Sequence, residues 1–402
     1  MSLPISLNNP ARFGSAMQAL AICPKGIEDI AAREVKEIIA SQPVMGEGCI
    51  LFDISTLLDL CKLSYVAQSL EKVMLHIAKV PFEDKENGLK GIKEAIQKFP
   101  FKEWLGKATS FRISCQSLSE RNLSLDELSA ELGSIVRDVV KEKQKFIPKV
   151  DLDRPDVIFF AFFSGDSCYL GIDFTGRDLH KREYKIFPHS SSLRGTIAYA
   201  LVRIADFGKK DALLDPFAHS GEIPIEAAFY QTKTPLQVFA KEKFAFRKFK
   251  PLKKVDFEKM FVGFDKEQQP PKKPTIFCSD PAVPNLTASK KNAKIAGLQK
   301  AISFTRMDME WLDTKFKKAT IDRIITHPPE LTRQVNPKDR EKLYHEIFYQ
   351  AEFILKKSGT ITLIARDTEP FKAPAEKYKF AIAHERVVYS GKEPLKVVVF
   401  SH

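Results

Sequence analysis

Four positions with acid or imidazole side chains recur in this chain at one kind of place, the end of a short apolar run. Ala212-Leu213-Leu214 closes on Asp215-Pro216, Ile276-Phe277-Cys278-Ser279 ends in Asp280, Ile302-Ser303-Phe304 is soon followed by Asp308, and Arg323-Ile324-Ile325-Thr326 runs into His327-Pro328-Pro329-Glu330. An acid at the carboxyl end of a strand is placed to accept hydrogen bonds from a ribose. A neutral imidazole accepts one hydrogen bond, whereas an imidazolium accepts none. After Asp215 the chain passes Ser220-Gly221 and enters the apolar-periodic Ile223, Ile225, Ala227 and Ala228, so the stretch reads as strand, tight loop, helix. Such a loop lets a ligand approach closely while the next helix presents its amides. It is not a dinucleotide fingerprint, since G-x-G-x-x-G needs three glycines and only Gly221 is present. Taken alone, the stretch also reads as an ordinary α/β crossover.

The elements around these residues imply a sheet that would bring them together. Asn285 to Gly297 (NLTASKKNAKIAG) reads as a helix with Asn285 as cap and a glycine past its last turn, and late strands follow at 359–364 and 395–400. Strands alternating with helices predict an open, mostly parallel α/β sheet whose ligand crevice lies outside the carboxyl ends of its strands. Upstream, a strand at 18–22, a helix at 24–39 and a strand at 49–52 suggest a small α+β domain. A strand at 73–80, a helix at 85–98, a strand at 110–115, a helix from Leu125 behind the capping box Ser124-x-x-Glu127, and a strand at 158–163 followed by YLGIDFTG at 169–176 suggest a second one.

In sequence order, DPFAHSG, CSDPAVPNLTASKKNAKIAG, RMDMEWLD and IITHPPE resemble motifs I to IV of class I S-adenosylmethionine-dependent methyltransferases. The likeness is to those that act on exocyclic base amines through an Asn/Asp-Pro-Pro-aromatic motif. The segment 150–176, with VDLDRPDV and YLGIDFTG, resembles the THUMP RNA-binding domain, and 175–207 is similar to the joint before motif I in THUMP-linked base methyltransferases. The resemblance spans about residues 17 to 402. It implies a lead-in at 1–16, a ferredoxin-like domain at 17–68, a THUMP domain at 69–176, a linker at 177–192 and a Rossmann-like methyltransferase sheet at 193–402. Carried over residue by residue, it implies that His327, Pro328, Pro329 and Glu330 hold the reacting amine. Asp215, Phe217, Ser220, Gly221, Asp280 and Asp308 would hold S-adenosylmethionine, with Asp280 at the ribose and Asp308 near the adenine amine.

Four positions depart from the family pattern. His219 stands where motif I has glycine, Glu222 where it has threonine, His327 where motif IV has Asn or Asp, and Glu330 where it has a ring. A side chain at 219 would fill space or sit in a strained backbone. Two functions follow: an RNA methyltransferase of the guanine-N2 type, on tRNA or ribosomal RNA, and an inactive RNA-binding relative that keeps the fold. A nicotinamide oxidoreductase is disfavoured by the missing glycines.

The net charge of +12, from 63 Lys and Arg against 51 Asp and Glu, suits a polyanionic partner, although a merely soluble basic protein would share it. The sharpest basic stretch lies between motifs I and II. There Lys241, Lys243, Arg247, Lys248, Lys250, Lys253 and Lys254 interleave with Phe244, Phe246 and Phe249. Cations beside rings suit phosphates and unpaired bases, while the alternative makes the rings core. The basic turn Arg177, His180, Lys181, Arg182 reads as a solvated connection. Six scattered cysteines without a C-x-x-C pair suggest neither a metal site nor disulfides, and fit a reducing cytoplasm. No apolar run reaches the roughly 18 residues of a membrane span, and the N-terminus does not read as a signal peptide. The expectation is a cytoplasmic monomer that binds tRNA or ribosomal RNA and holds no metal.

Overall fold

Strong apolar runs and period-2 alternation set the strands of this protein, and a computed structural model describes residues 17–118, 124–269, 273–329 and 337–402. The expected lead-in and Glu330 lie outside the described residues. The chain divides into two compact units, one from the N-terminus to Cys23 with Ala31–Leu179 and Ala240–Phe261, the other from Pro24–Ile30, His180–Phe239 and Val262–His402.

The N-terminal part of the chain supplies β1 (Met17–Ile22), α1 (Glu28–Ile39), β2 (Val44–Gly46), β3 (Cys49–Ile54), α2 (Leu57–Val66), β4 (Lys72–Pro81), α3 (Lys85–Lys98), α4 (Phe101–Trp104), β5 (Ser110–Ser117), α5 (Leu125–Gln144), β6 (Lys149–Val150), β7 (Val157–Ser164) and β8 (Ser167–Asp173). Its strands form one sheet in the order β2-β3-β1-β4-β8-β7-β5-β6. Because β1 pairs with β4, the sheet runs unbroken across the expected 68/69 boundary. β7 reads VIFFAFFS with every residue buried, as a strand covered on both faces must be. Helix α5 starts as its sequence requires, with Ser124 Oγ accepting the Glu127 N–H at 3.3 Å.

The same unit takes residues 240–261 into its core. Phe244, Phe246 and Phe249 are 3%, 0% and 1% exposed. Phe249 meets Trp104 and Phe174 edge-on at 5.5 and 5.1 Å, and the Phe246 N–H donates to the Phe174 carbonyl. The rings are therefore packing groups rather than surfaces for bases, because edge-to-face burial uses up their faces.

The second unit continues with α6 (Gly195–Ile204), β9 (Leu213–Asp215), α7 (Glu222–Thr232), α8 (Phe257–Asp265, which begins in the first unit), β10 (Ile276–Asp280), α9 (Val283–Ile295), β11 (Ile302–Arg306), α10 (Leu312–Lys315), β12 (Ile321–Thr326), α11 (Pro337–Ile354), β13 (Leu355–Ala365), α12 (Glu369–Lys377), β14 (Ala381–Ser390) and β15 (Glu393–Ser401). The strand order is β11-β10-β9-β12-β13-β15-β14, parallel from β11 to β13, with β15 antiparallel to both neighbours. From β9 the chain builds outward through β10 and β11 on one side and through β12 and β13 on the other. The order reverses at β9, which makes its carboxyl end the switch-point crevice. A core of Leu214, Ile324, Ile347, Phe348, Leu363 and Phe371, among others, fixes β9 and β12 in depth.

The basic turn before this unit is not solvated throughout. The Arg182 guanidinium makes a fork of two bonds to Glu226, 2.8 and 3.1 Å, with both side chains fully buried, and Tyr184 Oη donates to the same carboxylate at 2.8 Å. Gly195 makes room for this fork, since a Cβ there would stand 2.2 Å from Arg182 Nε.

Candidate active site

The four strand-end positions converge as the alternation predicts, each with its own electrostatic state. Asp215 ends β9 and is 1% exposed. Its Oδ1 accepts the Thr326 hydroxyl at 2.6 Å, from the end of β12, and the Phe217 N–H at 3.2 Å. Burial pushes this carboxyl up to about 8 against those two bonds. It is therefore mostly protonated at neutral pH.

Asp280 ends β10 and organises the neighbouring loops. Its Oδ1 accepts the Ala282 N–H (2.9 Å) and Asn285 Nδ2 (3.1 Å), and Oδ2 accepts the His219 N–H (3.0 Å). Three of about four acceptor positions are thus filled from the protein. Asn285 is not the helix cap its sequence suggests. Helix α9 starts earlier, at Val283 behind Ala282, with a proline in its first turn. Asp280 takes the amide and side-chain donors there, so the strand's acid does the work of a cap. Asp308, just beyond β11, is exposed.

The loop between β9 and α7 is held tightly. Gly221 adopts φ 88°, and a Cβ would meet Ser289 Cβ at 3.0 Å, so glycine is required both by the backbone and by the close approach of α9. Ser220 Oγ donates to Glu222 Oε1 at 2.6 Å and accepts the His189 N–H at 3.1 Å. The Asn292 amide holds the Ser220 carbonyl and both the N–H and carbonyl of Phe187, each at 3.0 Å. Glu222, where the related motif has threonine, is 4% exposed and sits 3.5 Å from Lys185 Nζ.

His219 and His327 meet above this loop. The His219 backbone is left-handed (φ 48°), its ring stacks on His189 at 4.6 Å, and its Nε2 lies 2.9 Å from the His327 carbonyl oxygen. His327 is 7% exposed and edge-on to His219 at 5.6 Å. Burial, then the neighbouring His219, lowers its imidazole to about 4, and burial also lowers that of His219. Both rings are neutral at physiological pH. His219 Nδ1, both ring nitrogens of His327 and Ser279 Oγ are sealed from solvent without a hydrogen-bond partner. Pro328 is buried, Pro329 half-buried.

The structure thus gathers Asp215, Ser220, Gly221, Asp280, His327 and Pro328 at the carboxyl end of the sheet, linked through Thr326 and His219 by hydrogen bonds. Phe217 packs its side chain into the core. The seven basic residues at 241–254 belong to the other unit. His189, Ser289, Asn292 and Thr326 are contributors the spacing did not single out. Only Thr326 carried a signal, as a polar residue closing an apolar run beside His327. Among the described residues no group of three His, Cys, Asp or Glu side chains is arranged to hold a metal ion.

Known proteins share both the sequence and this architecture. A family model described as an RMKL-like methyltransferase domain matches residues 182–395, and the THUMP domain model matches 86–173. A tRNA (guanine(6)-N2)-methyltransferase of Methanocaldococcus jannaschii is 29% identical over 346 residues, covering 82% of this chain and 85% of its own. One of the same name from Archaeoglobus fulgidus is 27% identical over 379 residues, covering 93% and 90%. Among solved structures, a possible methylase from Clostridium difficile 630 aligns with a TM-score of 0.80 at 21% identity, covering 96% of this chain and 98% of that one, which shows a common fold. With the family model spanning more than half of its length, the chain belongs to the RMKL-like methyltransferase family.

Proposed function

We propose that this protein transfers a methyl group from S-adenosylmethionine to the exocyclic amine of an RNA base, guanine N2 in tRNA or ribosomal RNA. The observation that carries the reading is the bond from His219 to the His327 carbonyl, which sets the Pro-Pro loop against the loop between β9 and α7. The crevice fits such a cofactor because it leaves buried polar atoms unpartnered, each costing roughly 1–3 kcal/mol until a hydrogen-bonding ligand meets it. Asp280, with one acceptor position left, and the exposed Asp308 would hold the adenosine side, and the Ser220-Gly221 turn the methionine side. When bound, the group supplies an electrophilic methyl on a sulfonium.

The chain's own part is alignment. Methyl transfer is an in-line displacement in which holding the amine in near-attack geometry is the main task. His327, neutral, offers one ring nitrogen as acceptor for an amine N–H, and the Pro328 carbonyl offers a second. An imidazole lowered to about 4 is too weak a base to abstract the proton, so it orients rather than deprotonates. For RNA, the first unit offers a cavity of about 790 Å³ between β5 and α5, where Arg112 and Arg137 stand beside Asp126 and the apolar Phe111, Ile113 and Leu125. We place the protein in the reducing cytoplasm as a monomer. Among the described residues no helix is long and apolar enough to cross a membrane.

The test is nucleoside mass spectrometry of tRNA and ribosomal RNA from cells with and without the protein. Loss of N2-methylguanosine from one RNA is expected, and an unchanged set of methylated nucleosides would overturn the reading. The sealed His327 nitrogens favour one rival, an RNA-binding relative without transfer. It predicts RNA retention with no labelled methyl incorporated.

A further inference from the structure

His219 occupies a position where glycine would be at ease and a side chain is not. A non-glycine residue in the left-handed region is strained and persists only where its surroundings over-determine it. Four contacts do so here. The backbone N–H donates to Asp280 Oδ2 at 3.0 Å, the backbone carbonyl accepts Ser289 Oγ at 3.1 Å, the ring stacks on His189, and Nε2 reaches the His327 carbonyl at 2.9 Å. A carbonyl oxygen only accepts, so the proton sits on Nε2 and Nδ1 bears the lone pair. The backbone of His219 therefore ties to β10 and α9, and its ring alone joins the segment around His189 to the loop after β12.

We propose that His219 is a positioning residue, a strut whose Nε2–H pins the His327 carbonyl and thereby fixes the His327-Pro328-Pro329 loop, rather than an obstruction left in the turn. The arrangement explains why the strain is tolerated. A glycine would relax the turn but remove the only side-chain bond the described structure gives to the His327 backbone, and that bond joins residues 108 apart in sequence. The His327 ring takes no part in this hold, because the loop is fixed through its backbone carbonyl. The inference rests on the methyl-transfer reading for its kinetic consequence and on geometry alone for its spectroscopic one.

The test compares His219→Gly with His219→Gln in the full chain. Glycine relieves the left-handed strain, which offsets part of the ring contacts it loses, and a cooperative melt is required of the variant before its kinetics are read. Glutamine places an amide N–H near the reach of Nε2. Three readouts are taken: methyl transfer to tRNA transcripts, S-adenosylhomocysteine binding by calorimetry, and nitrogen-15 imidazole spectra. The expected result for glycine is a kcat lower by about tenfold or more, with RNA KM and S-adenosylhomocysteine affinity within about twofold, since a small misplacement costs rate rather than binding. The His327 imidazole signals should shift or broaden in that variant and return with glutamine, and wild-type His219 should show the Nε2–H tautomer. Glycine matching the wild type in kcat and in the His327 spectrum would overturn the strut, and so would glycine raising kcat with tighter S-adenosylhomocysteine. If the wild type transfers no methyl, the enzymatic reading fails by itself, and the His327 spectrum alone decides the strut.

Discussion

At the scale of single residues, two buried titratable groups give this protein opposite dependences on pH. His327 titrates near 4 in the fold and near 6.5 when unfolded, so its neutral form is favoured by folding. Its stability contribution is present above about 6.5 and is lost as pH falls towards about 4. An unperturbed imidazole at this place would lose its role as hydrogen-bond acceptor at about 6.5. Burial moves that loss to about 4. We expect methyl transfer to show no His327 titration between pH 5 and 8, and the acid limb of a thermal-stability profile to flatten in His327→Asn. Asp215 behaves in reverse. Its carboxyl is raised to about 8, so stability is full below about 4 and falls as pH rises to about 8. Asp215→Asn keeps an acceptor for Thr326 and cannot ionise, so its melting temperature should exceed the wild type's at pH 8 and the difference should vanish at pH 4. A wild-type advantage at pH 8 would mean the carboxylate, not the acid, is the native form. Residue types at strand ends were legible in the sequence. Their charge states were not, because burial is made by segments about 100 residues apart.

At the scale of elements, the insertion at 241–254 divides into an inward and an outward face that spacing alone left open. Its rings are core, and several of its cations already have work. Lys248 Nζ donates to the Pro155 carbonyl, Lys250 Nζ to the Lys102 carbonyl, and Arg247 lies 3.1 Å from Glu242 and 3.2 Å from Glu258. Lys253 and Lys254 are exposed. If the insertion meets RNA, those two are the ones that neutralise phosphates. Replacing both with alanine should reduce the slope of log affinity against log salt by about 1.5, the counterion release of two contacts, while Lys248→Ala should change it little. Equal slopes in all variants would remove the insertion from the interface. The turn at 177–182 went the other way. Its charges suggested solvent, but the Arg182–Glu226 fork is fully buried, and a partner 44 residues downstream leaves no mark on local composition. Periodic elements such as α3, α5 and β7 lie where the pattern puts them, because each buries one regular face or both.

At the scale of the whole molecule, the first unit is discontinuous in sequence and draws a patch of its core from residues that follow β9 and α7. The segment 240–261 returns to it with Phe244, Phe246, Phe249, Leu252 and Phe261, all buried. Tyr65 meets Phe261 at 4.7 Å, and Trp104 and Phe174 pack on Phe249. A fragment ending at Leu179 would therefore expose the faces of Tyr65, Trp104 and Phe174. Each large apolar side chain contributes roughly 1.5–3 kcal/mol on burial, so the loss of several approaches the roughly 5–15 kcal/mol that holds a domain together. We expect residues 17–179 alone to melt broadly and to bind a hydrophobic dye. A fusion of 17–179 to 240–261 through a flexible linker should melt cooperatively and exclude the dye. The fusion variant with Phe246 and Phe249 both changed to alanine should revert to the fragment's behaviour. If the bare fragment already unfolds cooperatively with no dye binding, the insertion only decorates a finished core. Its phenylalanines would then need another explanation than the packing that now accounts for them.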